Sequence, residues 1–75
     1  MAKMKIVGIL VEDRASRAPA VQEVITRFGT DISCRLGIPG PDKENGLIVL
    51  AMEDDKGIRD ELAGIKGVEV KSLEF

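Results

Sequence analysis

Among its 75 residues the sequence has no histidine, tryptophan or tyrosine, only two phenylalanines and a single cysteine. Without histidine, the chain lacks imidazole metal ligands and the commonest general acid–base side chain. One cysteine excludes an internal disulfide, as expected for a protein of the reducing cytoplasm. Because no convergent acid–base pair is evident either, we expect neither an enzyme nor a protein with a metal or cofactor.

Long apolar runs and clusters of positive charge are also missing. The 11 basic and 13 acidic residues are interspersed and give a formal net charge of −2, so no basic patch is available to bind nucleic acid. No run approaches the roughly 20 apolar residues of a membrane span. The apolar run Ile6–Val11 is too short, and wrongly flanked, for a secretory signal. We therefore expect neither nucleic acid nor a membrane among the partners.

Four segments read as β-strands, and two of them differ from the other two in their apolar pattern. Met4–Val11 and Gly46–Glu53 are apolar at both alternating positions, which predicts strands buried on both faces. Asp31–Ile38 and the segment that starts at Val68 alternate apolar with polar residues, which is typical of edge strands. The turn-rich run Pro39–Asn45 joins the second strand to the third.

Two amphipathic helices are predicted between these strands. The first follows the polar loop Glu12–Arg17, with Ser16 as its N-cap and Gly29 just past its end. The second follows Glu53–Asp55, whose carboxylates favour a helix N-terminus, and it ends at a pair of glycines. The apolar positions at helical spacing are Ala18, Val21, Val24, Ile25 and Phe28 in the first helix, and Ile58, Leu62 and Ile65 in the second.

The resulting order β-α-β-β-α-β predicts a single α+β domain over residues 1–75 with a ferredoxin-like sandwich fold. Its antiparallel sheet has the order 4-1-3-2 and carries both helices on one face. So small a domain buries only roughly 60% of the surface that its unfolded chain exposes. It would therefore gain stability from oligomerisation.

The second face of this sheet is predicted to be an interface. Two helices cover one face only, so the other presents apolar residues at its centre and polar residues at its edges, as protein–protein contacts do. We assign to it Val7, Ile9 and Val11 from the first strand and Arg35 from the second. A second copy of the chain is the expected partner, giving a dimer or tetramer. A monomer with a mildly apolar open face is the alternative.

Several segments resemble a known family. The element order, the strand Arg35–Pro39 and the closing segment Ile65–Val70 resemble ACT-like regulatory domains. More closely, the chain is similar over nearly its whole length to a family of small iron-only hydrogenase system regulators, through Val7–Arg14, Arg35–Pro39 and Gly46–Ile48. The resemblance implies a homo-oligomeric regulatory module related in fold to the ligand-binding domain of nickel-responsive repressors. The chain differs from those repressors in having neither histidine nor a ribbon–helix–helix segment.

The loop between the first strand and the first helix is the candidate ligand site. In ACT-like domains the ligand lies near this junction, at a subunit interface, so the resemblance implies that four residues hold a small anion such as a carboxylate or phosphate. These residues are Asp13, Arg14, Ser16 and Arg17. The arginines and the helix N-terminus suit a negative charge. A solvated, well-capped turn is the alternative, and with it an adaptor function in which the oligomer docks on a partner protein and binds no ligand.

Three further features have a functional and a structural interpretation. Cys34 is expected to be a small buried residue, because alternation places it beside Ile32 and Leu36 on the core face. Glu53–Asp55 could bind a hard cation but lacks the spacing of a calcium loop, which favours helix capping. The run Gly37–Asp42 is either a mobile flap over an interface pocket or a hairpin connection, and its turn-forming residues favour the connection.

Overall fold

The computed structural model describes residues 3–40, 42 and 44–75, and it shows the predicted succession of strands and helices. The elements are β1 (Lys5–Val11), α1 (Arg14–Arg27), β2 (Ile32–Pro39), β3 (Gly46–Met52), α2 (Lys56–Ala63) and β4 (Val68–Glu74). A short 3₁₀ turn, Gly29–Asp31, follows α1. Neither helix in the described part of the chain is long and apolar enough to cross a membrane.

Every pair of neighbouring strands is antiparallel, and the sheet order is β2-β3-β1-β4. Read from the other edge, this is the predicted order 4-1-3-2. The predicted fold class, an α+β ferredoxin-like βαββαβ sandwich, is therefore confirmed. The central strands β1 and β3 are the two segments that are apolar at both alternating positions, and the edge strands are the two that alternate. The number of apolar faces thus correctly indicated the place of each strand in the sheet.

The core lies between the helices and one face of the sheet, which we call the covered face. Ile9 and Leu50, from the two central strands, are fully buried there. The helical residues of the core recur at spacings of three and four, so each helix lays one apolar stripe on the sheet. The buried apolar residues are Val7, Ile9 and Val11 on β1, Val21, Val24 and Ile25 on α1, Leu50 and Met52 on β3, and Ile58 and Leu62 on α2.

Helix α1 begins before the predicted N-cap. Asp13 occupies the N-cap position with φ 50°, a left-handed conformation that aspartate adopts more readily than most residues. The backbone N–H groups of Asp13 and Arg14 donate to Oδ1 of Asn45 (3.1 Å) and to the carbonyl of Glu44 (2.8 Å). The β2–β3 connection therefore caps the helix, and Ser16 lies within the first turn. The prediction of Ser16 as N-cap was wrong because a tertiary contact replaces the local cap.

Helix α2 begins beside an almost fully buried carboxylate. The preceding residue Asp54 caps the helix locally, since its Oδ1 accepts the N–H of Lys56 at 3.1 Å. Asp55 is 1% exposed, and its carboxylate lies 3.1 Å from Nε of Arg59 and 3.7 Å from Nζ of Lys5. These two cations compensate a buried charge that would otherwise be costly. The predicted capping function of this acidic segment is confirmed at Asp54.

Candidate functional site

The second face of the sheet carries no helix, and we call it the open face. Cross-strand partners in an antiparallel pair share a face, so the register assigns each strand residue to one face or the other. Large apolar side chains of the open face are substantially exposed: Leu10 by 37%, Ile38 by 40%, Leu36 by 54% and Leu73 by 63%. The open face consists of three rows across the sheet, namely Leu73, Ile6, Ala51 and Cys34; then Lys71, Gly8, Val49 and Leu36; then Glu69, Leu10, Leu47 and Ile38.

The residues predicted for the interface lie on the covered face instead. Val7 and Ile9 are fully buried and Val11 is 2% exposed. Arg35 opposes the buried Leu50 and donates a hydrogen bond to Oε1 of Gln22 on α1. The assignment of Val7, Ile9 and Val11 to the open face was wrong, because a strand that is apolar at every position does not show which side the helices cover. The assignment of Arg35 was wrong because β2 turns its apolar residues Leu36 and Ile38, and not its polar ones, to the open face.

Cys34 is exposed, contrary to the prediction that it is buried. A β-bulge lies between Ile32 and Cys34 and interrupts the alternation of β2. As a result Ile32 opposes Met52 on the covered face, whereas Cys34 opposes Ala51 on the open face. The predicted strand was correct, but its alternation cannot be followed across the bulge.

A groove of about 280 Å³ opens between α1 and the adjoining ends of β2 and β3. Two glycines, Gly37 and Gly46, lie along it, and their missing side chains leave space between the helix and the sheet. Arg14 and Gln22 provide its polar side chains. The apolar lining residues are Val11, Ala18, Val21, Ile38, Pro39, Leu47 and Ile48. The groove is thus an apolar slot with a positive charge at its edge.

Arg14 is the one residue of the predicted ligand site that lines this groove. Its side chain is exposed, and its Cδ lies 3.5 Å from the position that a Cβ atom would take at Gly46. Within the described part of the chain, no acidic side chain pairs with Arg14. Its guanidinium group therefore offers an uncompensated positive charge that suits a carboxylate or phosphate.

The other residues of the predicted ligand site lie away from the groove. Asp13 and Ser16 are exposed. Arg17 packs over Gly67, where an added Cβ would lie 2.9 Å from Nε of Arg17, and this nitrogen is buried with no hydrogen-bond partner among the described residues. The N–H groups of Ser16 and Arg17 already donate to the carbonyl of Asp13, at 3.0 and 3.1 Å. The structure therefore does not bring the four residues together around one ligand.

The β2–β3 connection is held by a small polar network. Oδ1 of Asp42 accepts the N–H groups of Glu44 (3.2 Å) and Asn45 (3.0 Å). The predicted run Gly37–Asp42 starts within β2, and its residue Pro41 lies outside the described part of the chain. The network favours the hairpin connection over the flap, and the same segment also caps α1.

One further group of charges lies where β1 and β4 pair at the end of the sheet. Nζ of Lys3 and Nζ of Lys5 lie 3.3 and 3.5 Å from the carboxylate of Glu74. A hydrogen bond from Lys3 and the positive charges of Lys3 and Lys5 lower the pKa of Glu74 below its ordinary value. Among the residues that the structure describes, no three cysteine or acidic side chains converge as a metal site requires.

Comparison with known proteins confirms the resemblance seen in the sequence. Residues 3–72 match the TM1266-like family model, which is described as "Iron-only hydrogenase system regulator, putative". The structure of the uncharacterized protein TM1266 from Thermotoga maritima is similar, with a TM-score of 0.86 and 31% identity over 97% of this chain and 98% of that one. None of the curated proteins matches the sequence significantly.

More distant structures share the fold. A formyltetrahydrofolate deformylase from Pseudomonas putida KT2440 has a TM-score of 0.61 and 9% identity, over 93% of this chain and 28% of that one. Protein PA3566 from Pseudomonas aeruginosa has a TM-score of 0.58 and 6% identity, over 97% of this chain and 93% of that one. At such low identity the likeness shows the fold alone, and this is the ACT-like fold that the sequence predicted.

Proposed function

The chain belongs to the TM1266-like family of iron-only hydrogenase system regulators, and on that premise we propose that it is a homo-oligomeric regulatory module. It assembles through its open face, binds a small anionic ligand in the groove beside Arg14, and acts by binding rather than by catalysis. The observation that carries this proposal is the apolar open face, which the helices leave uncovered.

The exposed apolar side chains of the open face support self-association. A leucine or isoleucine contributes about 1.5–3 kcal/mol when it passes from full exposure to full burial, so each half-exposed one contributes about 1 kcal/mol. Leu10, Leu36, Ile38 and Leu73 are 37–63% exposed in each copy. Eight such side chains in a symmetric contact therefore contribute about 8 kcal/mol, similar to the association cost of about 4–15 kcal/mol. The half-buried residues of β1 and β3 add to this gain.

The groove supports the ligand part of the proposal. Its volume of about 280 Å³ is just below the range of drug-sized small-molecule sites, roughly 300–1,000 Å³, which suits a small ligand. Its walls are mostly apolar and Arg14 supplies the charge, so a small carboxylate or phosphate with an apolar body fits it best. Ile38 and Leu47 belong both to the groove and to the open face, so the ligand lies next to the surface that a second copy would cover.

Native mass spectrometry of the purified protein tests assembly and ligand together. We expect a dimer or tetramer for the wild type and a monomer for Leu36→Asp, because a charge on the open face opposes its burial. Ala20→Asp introduces the same charge at an exposed position of α1 and should leave the oligomer intact. A bare monomer for the wild type would contradict the proposal.

Added mass from a retained ligand reports the second half of the proposal. We expect this added mass to be lost in Arg14→Gln and kept in Arg27→Gln. The Arg27 side chain lies away from the groove and pairs with Glu61 at a distance of 2.8 Å. Both variants should keep the subunit count of the wild type. If the wild-type oligomer carries no ligand as purified and binds no added anion, the proposed ligand binding is contradicted. That result would favour an adaptor that docks on a partner protein.

A further inference from the structure

The open face carries its charges along a single edge. Glu69 and Lys71 are both on β4, two residues apart, whereas Leu36 and Ile38 occupy the corresponding rows of the opposite edge, β2. Neither Glu69 nor Lys71 forms an ion pair within the described part of the chain. A second copy that covers the open face must therefore accommodate this acid and this base at the β4 edge, beside Arg59 of α2, which lines the same depression as Gly8 and Lys71 and is already paired with Asp55.

Two-fold symmetry allows two ways to stack one open face on another. If the axis runs along the strands, β4 of one copy covers β2 of the other. Glu69 and Lys71 then lie against the apolar side chains of Ile38 and Leu36 of the partner subunit. Burial of charges without partners is unfavourable. If the axis runs across the strands, β4 covers β4, and the acid of one copy can meet the base of the other. The charges therefore favour the second arrangement.

The same charges select one register within that arrangement. When Lys71 faces Glu69 of the partner subunit, the symmetry relation also places Glu69 against Lys71 of the partner subunit, and the axis passes level with Val70 and Ile9. If the axis moves by one residue along the strands in one direction, Lys71 faces Lys71 of the partner subunit. If it moves by one residue in the other direction, Glu69 faces Glu69 of the partner subunit. Like charges directly opposite each other are destabilising. One register thus has two attractive pairs, and both of its neighbours have a repulsive one.

The shape of the central strands agrees with this register independently of charge. The row that contains Lys71 then lies on the partner row that contains Glu69, so Leu10 of the partner subunit covers Gly8. Leu10 projects from the open face with 37% of its surface exposed. At Gly8 an added Cβ would meet just one neighbouring atom, the carbonyl oxygen of Lys71 at 3.8 Å, so the space above this glycine is open. A protruding side chain therefore lies over a gap.

We propose that two copies of this chain stack through their open faces in this register, with Lys71 paired to Glu69 of the partner subunit and Leu10 seated over Gly8 of the partner subunit. This inference rests on the homo-oligomeric assembly of the proposed function and adds its symmetry axis and contacts. Stacked sheets cross at about −30°. Leu10 and Gly8 lie on the central strand β1 near the middle of the contact, where this rotation displaces residues least, and the long side chains at the edge can follow it.

Charge reversal tests the register. Glu69→Lys leaves two lysines on the β4 edge, and Lys71→Glu leaves two glutamates there. In a dimer of either variant alone, like charges therefore face each other across the interface. We expect the dissociation constant of each to rise about tenfold or more, as measured by analytical ultracentrifugation. An equal mixture of the two should form a heterodimer about as tight as the wild-type dimer, and the double variant E69K/K71E should assemble like the wild type. Circular dichroism checks that these exposed changes leave the fold intact.

A steric change tests the central contact separately. Gly8→Leu fills the space that Leu10 of the partner subunit occupies, so we expect weaker assembly with the chain still folded. Adding Leu10→Ala to this variant removes the protruding side chain and should restore part of the affinity. If Gly8→Leu assembles like the wild type, the contact between Leu10 and Gly8 is wrong.

The failure of this inference can be distinguished from failure of the proposed function. If the wild type assembles but charge reversal has no effect, or if the mixed variants do not associate, the register is wrong and homo-oligomerisation stands. If the wild type stays monomeric at every concentration tested, both proposals fail.

Discussion

The two faces of the sheet have similar amino acids and very different surroundings. On the covered face Leu50 is fully buried, whereas on the open face Leu36 of the neighbouring strand is 54% exposed. Two helices suffice to cover one face of a four-stranded sheet, so the apolar residues of the other face have no covering layer from the described chain. The comparison shows that the same residue type stabilises the monomer on one face and is available for assembly on the other.

The largest effect is expected from removing the same side chain on each face. Leu50→Ala leaves a cavity beneath the helices and should lower the free energy of unfolding by about 2–5 kcal/mol. Leu36→Ala removes a side chain that is half exposed in the single chain and should change it by no more than about 0.5 kcal/mol. Urea denaturation measures both, at a protein concentration low enough to keep the chains monomeric.

The same pair of variants should behave oppositely in an assembly measurement. Leu36→Ala weakens self-association although the monomer is hardly affected, because it removes apolar surface from the open face. If Leu36→Ala proves as destabilising as Leu50→Ala in the monomer, the two faces do not differ as the structure indicates.

A smaller effect is expected at Cys34, which the bulge turns toward the open face. Cys34→Ser should change the free energy of unfolding by no more than about 0.5 kcal/mol, because an exposed thiol can be replaced by a hydroxyl without burying a polar group. The matched change in the core is Val24→Thr on α1, which places a hydroxyl between the helix and the covered face and should cost more. Equal costs for both variants, measured by urea denaturation, would place Cys34 in the core after all.

How far the sequence predicts this molecule depends on whether a feature is local. The strands, the helices and the sheet order follow from apolar periodicity, which each segment carries by itself. The assignment of Val7, Ile9 and Val11 failed because the choice of face on β1 depends on how the helices cross the sheet. The assignment of Cys34 failed because a bulge breaks alternation without a sequence signal that we recognised.

The candidate site shows the same limit. Arg14 was predicted as a ligand residue and does line the groove, but the sequence did not indicate that Gln22 and Ile48 lie beside it. The groove lies between α1 and β3, which are separate in the chain. Gly37 and Gly46 are the available signal, since a missing side chain at a strand position indicates that another group approaches closely or that space is left.

The smallest effect concerns Glu74, whose cross-strand partner is Lys5. Lys5 is the first residue of β1 and also lies near the buried carboxylate of Asp55. Lys3 and Lys5 lower the pKa of Glu74 below its ordinary value of 4.5. A carboxyl whose pKa is lower in the folded chain adds stability above its unfolded-state pKa, and this stability is lost as the pH falls through the folded-state pKa. The loss should therefore be confined to the acid range below 4.5.

Glu74→Gln tests this assignment, because glutamine does not titrate and cannot form an ion pair with the two lysines. We expect the wild type to be slightly more stable than Glu74→Gln at neutral pH, with the difference disappearing as the solution is acidified below 4.5. Urea midpoints over this pH range measure the difference, and Glu23→Gln, at an exposed position of α1, is the matched control. If the wild type and Glu74→Gln keep a constant difference at all pH values, the lysines do not act on this carboxylate. The stability of this corner would then depend on packing and backbone pairing, as elsewhere on the covered face.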